Sequence, residues 1–185
     1  MIRIVSKSKE HELPAYYEYY CAPKNELDAF LTAQVTDWEE FDLLTGEANL
    51  FFEGTFLGKS MLDVQVVKDT LDISLGRDKG IVVDRKKQKD YSEKQFIGNK
   101  KTDYRSWDIE IRNKKQQSVN LVIEDQFPLT TNSDVEIKQE SSGGANLDKG
   151  IGILRWKMNL GKNESKKVNF KYSVKYPKKK SLLLD

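Results

Sequence analysis

The sequence predicts an all-β protein: a β-rich N-terminal lobe, residues 1–98, packed on a C-terminal immunoglobulin-like β-sandwich, residues 99–185, with the junction placed loosely near 90–100. Three observations predict it. Apolar residues recur at every second position in several stretches, which puts them on one face of a strand. Short polar clusters of hairpin length separate those stretches. Helical signals are scarce, because Glu26–Phe30 is too short and Thr36–Leu44 meets Gly46 after about two turns.

In chain order, Ile2, Ile4 and Val5 open on strand-like alternation, and candidate strands follow at Tyr16–Cys21, Ala29–Val35, Ala48–Phe56, Thr70–Leu75 and Ile81–Lys86. Gly76-Arg77-Asp78-Lys79-Gly80 reads as a hairpin tip in which the glycines supply positive φ. Beyond residue 100 the alternation is cleaner. Trp107, Ile109 and Ile111 form one apolar face, Val119, Leu121 and Ile123 a second, and Leu154, Trp156, Met158 and Leu160 a third. The fourth runs from Val168 through Phe170, Tyr172 and Val174 to Tyr176, with Asn169, Lys171, Ser173 and Lys175 between. Residues 113–117 and 161–164 are hairpin-length connections, and Ser141–Asn146 is a longer flexible loop. Strands at this spacing predict a small sandwich without the Cys pair of antibody domains.

Composition narrows the function. The 185 residues carry 31 Lys+Arg against 29 Asp+Glu, a net +2, so the fold has a heavily charged surface without a strong overall field. Residues 1–60 hold 5 Lys+Arg and 11 Asp+Glu, and the remainder 26 and 18, a shift that supports two lobes. One cysteine, Cys21, excludes an internal disulfide and a multi-Cys zinc site, and one histidine, His11, argues against His-rich metal centres and Ser-His-Asp catalysis. No stretch approaches the roughly 20 apolar residues of a membrane helix, and Ile2–Lys7 lacks the apolar region of an export signal.

Three segments stand out together and in this order: Tyr17–Lys24 with Ala29-Phe30-Leu31; Trp38, Leu43-Leu44, Gly46–Asn49, Phe52–Phe56 and Gly58-Lys59-Ser60; and Asp69-Thr70-Leu71 with Ser74–Gly80. They resemble the C-terminal region of the mucoidy inhibitor A family, a bacterial group whose shared region is a domain of unknown function. Ile109–Asn113, Val122, Glu124–Gln126 and Ser173–Pro177 extend the likeness over nearly the whole chain. The resemblance implies an upstream β domain and a helical middle region, so this chain is expected to be the C-terminal part of a longer protein. It also implies a bacterial periplasm or cell-envelope setting, and it brings no catalytic or binding residues with it.

Gly54–Ser60 superficially matches a P-loop, but three residues separate the glycines where four are needed and no helix follows, so a bulge or turn accounts for it. Glu39-Glu40 and Glu124-Asp125 are the carboxylate doublets, and neighbours on a strand point to opposite faces, so neither makes a glycosidase pair. Asp125, at a strand end, is expected to cap a loop or pair with Arg. Arg85-Lys86-Lys87-Gln88-Lys89 and Lys178-Lys179-Lys180 carry the charge needed for phosphates, yet Lys171 and Lys175 show the same pattern on a solvated strand face, and nucleic acid is not expected as a partner. His11 is expected to be exposed and Cys21 to behave as a small buried hydrophobe.

Arg77 and Asp78 make the candidate interaction loop: either Arg77 presents a donor fork to a partner carboxylate or phosphate, oriented by Asp69 or Asp78, or an internal salt bridge fixes the junction between lobes. The tyrosines at 16, 17, 19 and 20 are assigned mostly to packing, with sugar stacking open to any that share an exposed face. The expected function is a non-catalytic binding or assembly module, not an enzyme, with no cofactor or metal. Its partner is a protein or another part of the full-length chain; a carbohydrate-binding sandwich is the alternative, marked by clustered aromatics on one flat face. A glycan hydrolase, the third reading, needs two carboxylates opposed across a cleft.

Overall fold

In the computed structural model, residues 1–6, 9–52, 54–62, 70–89 and 94–182 are described, and among them the chain is all-β with no α-helix. The strands are β1 Ile2–Ser6, β2 Lys9–Leu13, β3 Tyr16–Cys21, β4 Asp28–Thr36, β5 Gly46–Phe52, β6 Thr55–Leu62 and β7 Thr70–Lys87. They continue with β8 Lys94–Ile97, β9 Lys100–Asn113, β10 Val119–Gln126, β11 Glu136–Ser141, β12 Asn146–Asp148, β13 Ile153–Leu160 and β14 Ser165–Pro177. Trp38–Phe41 is a single 3-10 turn between left-handed Asp37 and Asp42.

Two sheets form. A four-stranded sheet has the order β2-β1-β5-β6, and a ten-stranded sheet runs β11-β14-β9-β7-β4-β3-β10-β13-β12, with β8 extending the β7 side of β9. The pairings are antiparallel except β3 with β10, which are parallel through Tyr19↔Leu121 to Cys21↔Ile123.

The large sheet folds over on itself, and the fold creates two cores. In the larger, Ile109, Ile111, Phe170, Tyr172 and Val174 of β9 and β14 meet Leu121, Ile123, Leu154 and Trp156 of β10 and β13. Phe127 closes it, edge-on to Phe170 and Tyr172. In the smaller core, Ile2, Ile4, Ala48, Leu50 and Leu62 of the four-stranded sheet pack on Ala33, Val35, Ile73 and Leu75. Burial of these side chains at roughly 25 cal/mol per Å² is the main drive for both.

Strands β4 and β7 belong to both cores. Ala29, Ile81 and Val83 face the larger and Ala33, Val35, Ile73 and Leu75 the smaller, while Leu31 packs against both. Strand β7 makes the passage through an irregular stretch: Thr32 pairs Ser74, Phe30 pairs Arg77 and Asp28 pairs Val82, so five residues of β7 span two of β4. The hairpin tip expected at Gly76–Gly80 is therefore a bulge inside one 18-residue strand. Glycine serves both purposes, which is why the sequence pattern does not separate them. Gly76 adopts φ +100° as expected, whereas Gly80 does not take positive φ; a Cβ on Gly80 would come within 2.9 Å of Asp78 and Lys115.

Other expectations are corrected in the same way. Ala48–Phe56 is not one strand but the β5–β6 hairpin, turning at Gly54 with φ +78°. Gly54–Ser60 lies in that turn and in β6, where Gly58 sits at a register shift and the chain stays in strand to Leu62. Residues 142–145 cross from β11 in one layer to β12 in the other, and they are tied down by Trp156 Nε1 donating to the Gly143 carbonyl at 2.9 Å. His11 is half-buried opposite Ile4, on the side of the small sheet that carries the core. Cys21 is fully buried, as expected. No helix among the described residues is long and apolar enough to cross a membrane.

Candidate functional site

Alternation splits the tyrosine run of β3. Tyr19 is buried in the larger core and Tyr17 packs against the smaller one, whereas Tyr16 and Tyr20 point outward with 52% and 37% exposure. The registers of five strands then align a row on the outer face. Arg77 of β7 lies beside Phe30 of β4, Phe30 beside Tyr20 of β3, Tyr20 beside Val122 of β10, and Val122 beside Lys157 of β13. The row has an apolar centre and a cation at each end. Its neighbour runs Ser74–Thr32–Glu18, and Gln34 pairs Tyr16 beyond it.

The Arg77 end of the main row is charge-balanced. Arg77 reaches Glu26 at 2.6 Å and Asp28 at 3.4 Å, with its guanidinium 5.5 Å from the Phe30 ring centre. Lys79 joins Asp28 at 2.6 Å, which lowers the Asp28 pKa. At the other side Arg155 donates to Glu124 at 2.7 Å and the Tyr20 hydroxyl donates to the same carboxylate at 3.1 Å. Burial, then the Glu124 charge, pushes the Tyr20 phenol up to about 12.

Asp78 does not join Arg77. It turns the other way and accepts from Tyr19 at 2.6 Å, from Lys115 at 2.5 Å and from the Gly80 N–H at 2.7 Å. Burial raises its pKa, but these donors outweigh it and hold the carboxyl below its ordinary value. Lys115, in the β9–β10 connection, is raised despite burial by its bonds to Asp78 and Tyr19. Arg77 and Asp78 are thus adjacent in sequence and serve different places: the outer face and the connection from β7 to the β9–β10 turn. Asp69, the other orienting residue considered for Arg77, lies outside the described residues.

The carboxylate doublets behave as strand geometry requires. Glu124 faces outward, and Asp125 faces the larger core, where Arg85 meets it. Glu39 and Glu40 are exposed on the 3-10 turn. Arg85 is the residue that sequence reasoning misplaced. Counted within a basic run, it instead directs its side chain inward, with Nε 2.7 Å from Asp125 and its guanidinium 3.6 Å from the centre of the Trp107 ring. Lys86 and Lys87 of the same run are exposed.

Among the hollows of the described residues, a pair lies on the outer faces of the large sheet. A shallow one of about 360 Å³ lies at the Tyr16 end of the aromatic face, between Gln34 and Asn120. A larger trough of about 510 Å³ crosses β8, β9, β14 and β11, lined by Tyr104, three lysines and two glutamates. Within the trough Lys138 binds Glu140 at 3.0 Å and lowers its pKa, and Ser173 donates to the same carboxylate at 2.9 Å. Neither hollow was legible in the sequence, because each depends on registers between distant strands. The one available signal was the outward set Tyr16, Glu18, Tyr20 once β3 was recognised.

A family model described as Domain of unknown function (DUF4139) matches residues 2–178. Among curated proteins the chain is similar to Protein F37C4.5 of Caenorhabditis elegans, 24% identical over 168 residues, covering 84% of this chain and 30% of that protein. The chain therefore spans under a third of the length of this relative. No solved structure matches.

Proposed function

Since the chain belongs to that family of unknown function, we propose from its geometry that it is a non-catalytic binding or assembly module. The finer reading is a bacterial envelope-associated protein of the mucoidy inhibitor A kind. The observation that carries the proposal is the aligned row Arg77–Phe30–Tyr20–Val122–Lys157, in which the exposed Tyr20 and the half-buried Phe30 stand beside the buried Val122 and a cation closes each end. Such a layout suits recognition of a protein segment, since an apolar centre supplies burial and the rim fixes orientation. The partner is another protein or another part of the full-length chain.

Asp78, Asp108 and Glu140 are all lowered by donor groups, whereas a general acid needs a carboxyl raised toward neutrality. In this reading the domain is not an enzyme and requires no cofactor or metal. The second reading, carbohydrate binding, is favoured by the exposure of Tyr16 and Tyr20 on one face.

The test is calorimetric titration of this domain with the remainder of its full-length chain. Association in the micromolar range, weakened about tenfold or more by Tyr20→Ala, is the expected result for a central aromatic contact. No association at about 100 μM, or association indifferent to Tyr20 and Arg77 substitutions, overturns it.

A further inference from the structure

We propose that the Tyr16 end of the outer face is a binding site for a neutral saccharide. This deepens the second reading above and rests on the domain being a binding module. The hollow there, about 360 Å³, is lined by Tyr16, Glu18, Gln34, Asn120, Lys157 and Asn159 beside Met158. It draws on four strands, β3, β4, β10 and β13, so its side chains are held by a rigid sheet.

The chemistry of that set matches a sugar ring. A pyranose presents an apolar C–H face and a rim of adjacent hydroxyls, each a donor and an acceptor. The half-exposed Tyr16 ring offers the apolar face a partner. Carboxamides and carboxylates are planar groups that engage two neighbouring hydroxyls, and Gln34, Asn120, Asn159 and Glu18 supply four of them. Two are already oriented: Asn159 Nδ2 donates to Asn120 Oδ1 at 2.9 Å, which leaves the Asn120 amide N–H groups as donors and the Asn159 carbonyl as an acceptor. Gln34 stands directly across from Tyr16 in the β3–β4 register.

Charge selects the class. One carboxylate, Glu18, is balanced by one ammonium, Lys157, so the site offers a polyanion no net attraction. The larger trough contrasts with it: Lys100, Lys138 and Lys175 stand against Glu136 and Glu140, and part of this set is spent on internal bonds. Tyr104 of the trough is therefore the internal control.

The experiment titrates the domain with maltopentaose, cellopentaose and chitotetraose, and with polygalacturonate as the acidic comparison, following backbone amide shifts by NMR. Wild type, Tyr16→Ala, Asn120→Ala and Tyr104→Ala are compared, with thermal midpoints confirming that each is folded. At least one neutral oligosaccharide is expected to saturate in the range of about 0.1–1 mM, as few contacts at a shallow site allow. Tyr16→Ala and Asn120→Ala weaken it about tenfold and Tyr104→Ala less than about twofold. The proposal fails if no neutral probe saturates at about 10 mM, if binding survives Tyr16→Ala, or if only polygalacturonate binds. Failure here with association to the remainder of the chain intact removes the saccharide site alone; absence of both removes the binding-module reading as well.

Discussion

Arg85 and Asp125 clasp each other across the larger core, from β7 to β10, with Nε and Nη2 donating to the two carboxylate oxygens at 2.7 and 3.3 Å. The Asp125 side chain is fully buried and that of Arg85 is 10% exposed. Trp107 stacks on the guanidinium, so the charge is enclosed by an indole as well as a carboxylate. Removing one partner leaves the other charge buried and uncompensated. Asp125→Ala is expected to cost about 3–5 kcal/mol, and Arg85→Met with Asp125→Leu to recover most of that, because an apolar pair of similar volume replaces the ions. Urea unfolding of the singles and the double checks it; additive losses would sink the assignment.

Asp78 gives stability a defined pH signature. Its folded pKa is below the unfolded value of about 3.9, so the unfolded chain takes up the proton first as pH falls. The contribution is therefore complete above about pH 4 and is lost on acidification through the folded value. For Lys115, raised above its unfolded value of about 10.4, the contribution is complete below that pH and disappears as pH rises through the folded value. Asp78→Asn should lower stability by about 1–3 kcal/mol at pH 7 and flatten the acid limb of a stability–pH profile. An unchanged acid limb contradicts the geometry.

Gly143 is held where no other residue fits. Its φ is +60°, and a Cβ would lie 1.8 Å from the Asn169 carbonyl oxygen on β14. Gly143→Ala must displace the connection between β11 and β12 and release the Trp156 hydrogen bond, so a loss above about 2 kcal/mol is expected. Indole fluorescence during unfolding reports both effects. Gly80→Ala, crowded mainly by the Asp78 carboxylate and the flexible Lys115 chain, should cost less.

Cys21 should be chemically silent. Burial first, then the charges of Asp28 and Glu26, push its thiol up to about 12. A disulfide reagent at pH 8 should leave the native protein unmodified and titrate one thiol per chain after denaturation. Rapid native labelling would contradict the burial of Cys21.

How far the sequence reveals this fold depends on the range of the interaction that decides each part. Alternation from Val168 to Tyr176 is a local property, and β14 appears there as expected. Asp125 was legible as an Arg partner because its place at a strand end faces the core side. Arg85 was not, since a basic run looks the same whether its first member is solvated or aimed at a carboxylate forty residues on. The Arg77 bulge failed for a local reason, the shared glycine chemistry of bulges and turns. The row through Phe30, Tyr20 and Val122 failed for a global one, because the parallel register of β3 with β10 leaves no pattern in either strand.

That same parallel pair bears on how the protein is made. Tyr19 and Leu121 are neighbours in space about one hundred residues apart along the chain, so β3 leaves the ribosome long before its partner is synthesised. Closing so long a loop is slow, and high contact order lowers folding rates. During elongation the edge of β3 that later pairs β10 is open, ready to pair with whatever strand is nearest. Overexpression should therefore strand this protein in inclusion bodies more readily when translation is fast than when it is slowed by cold.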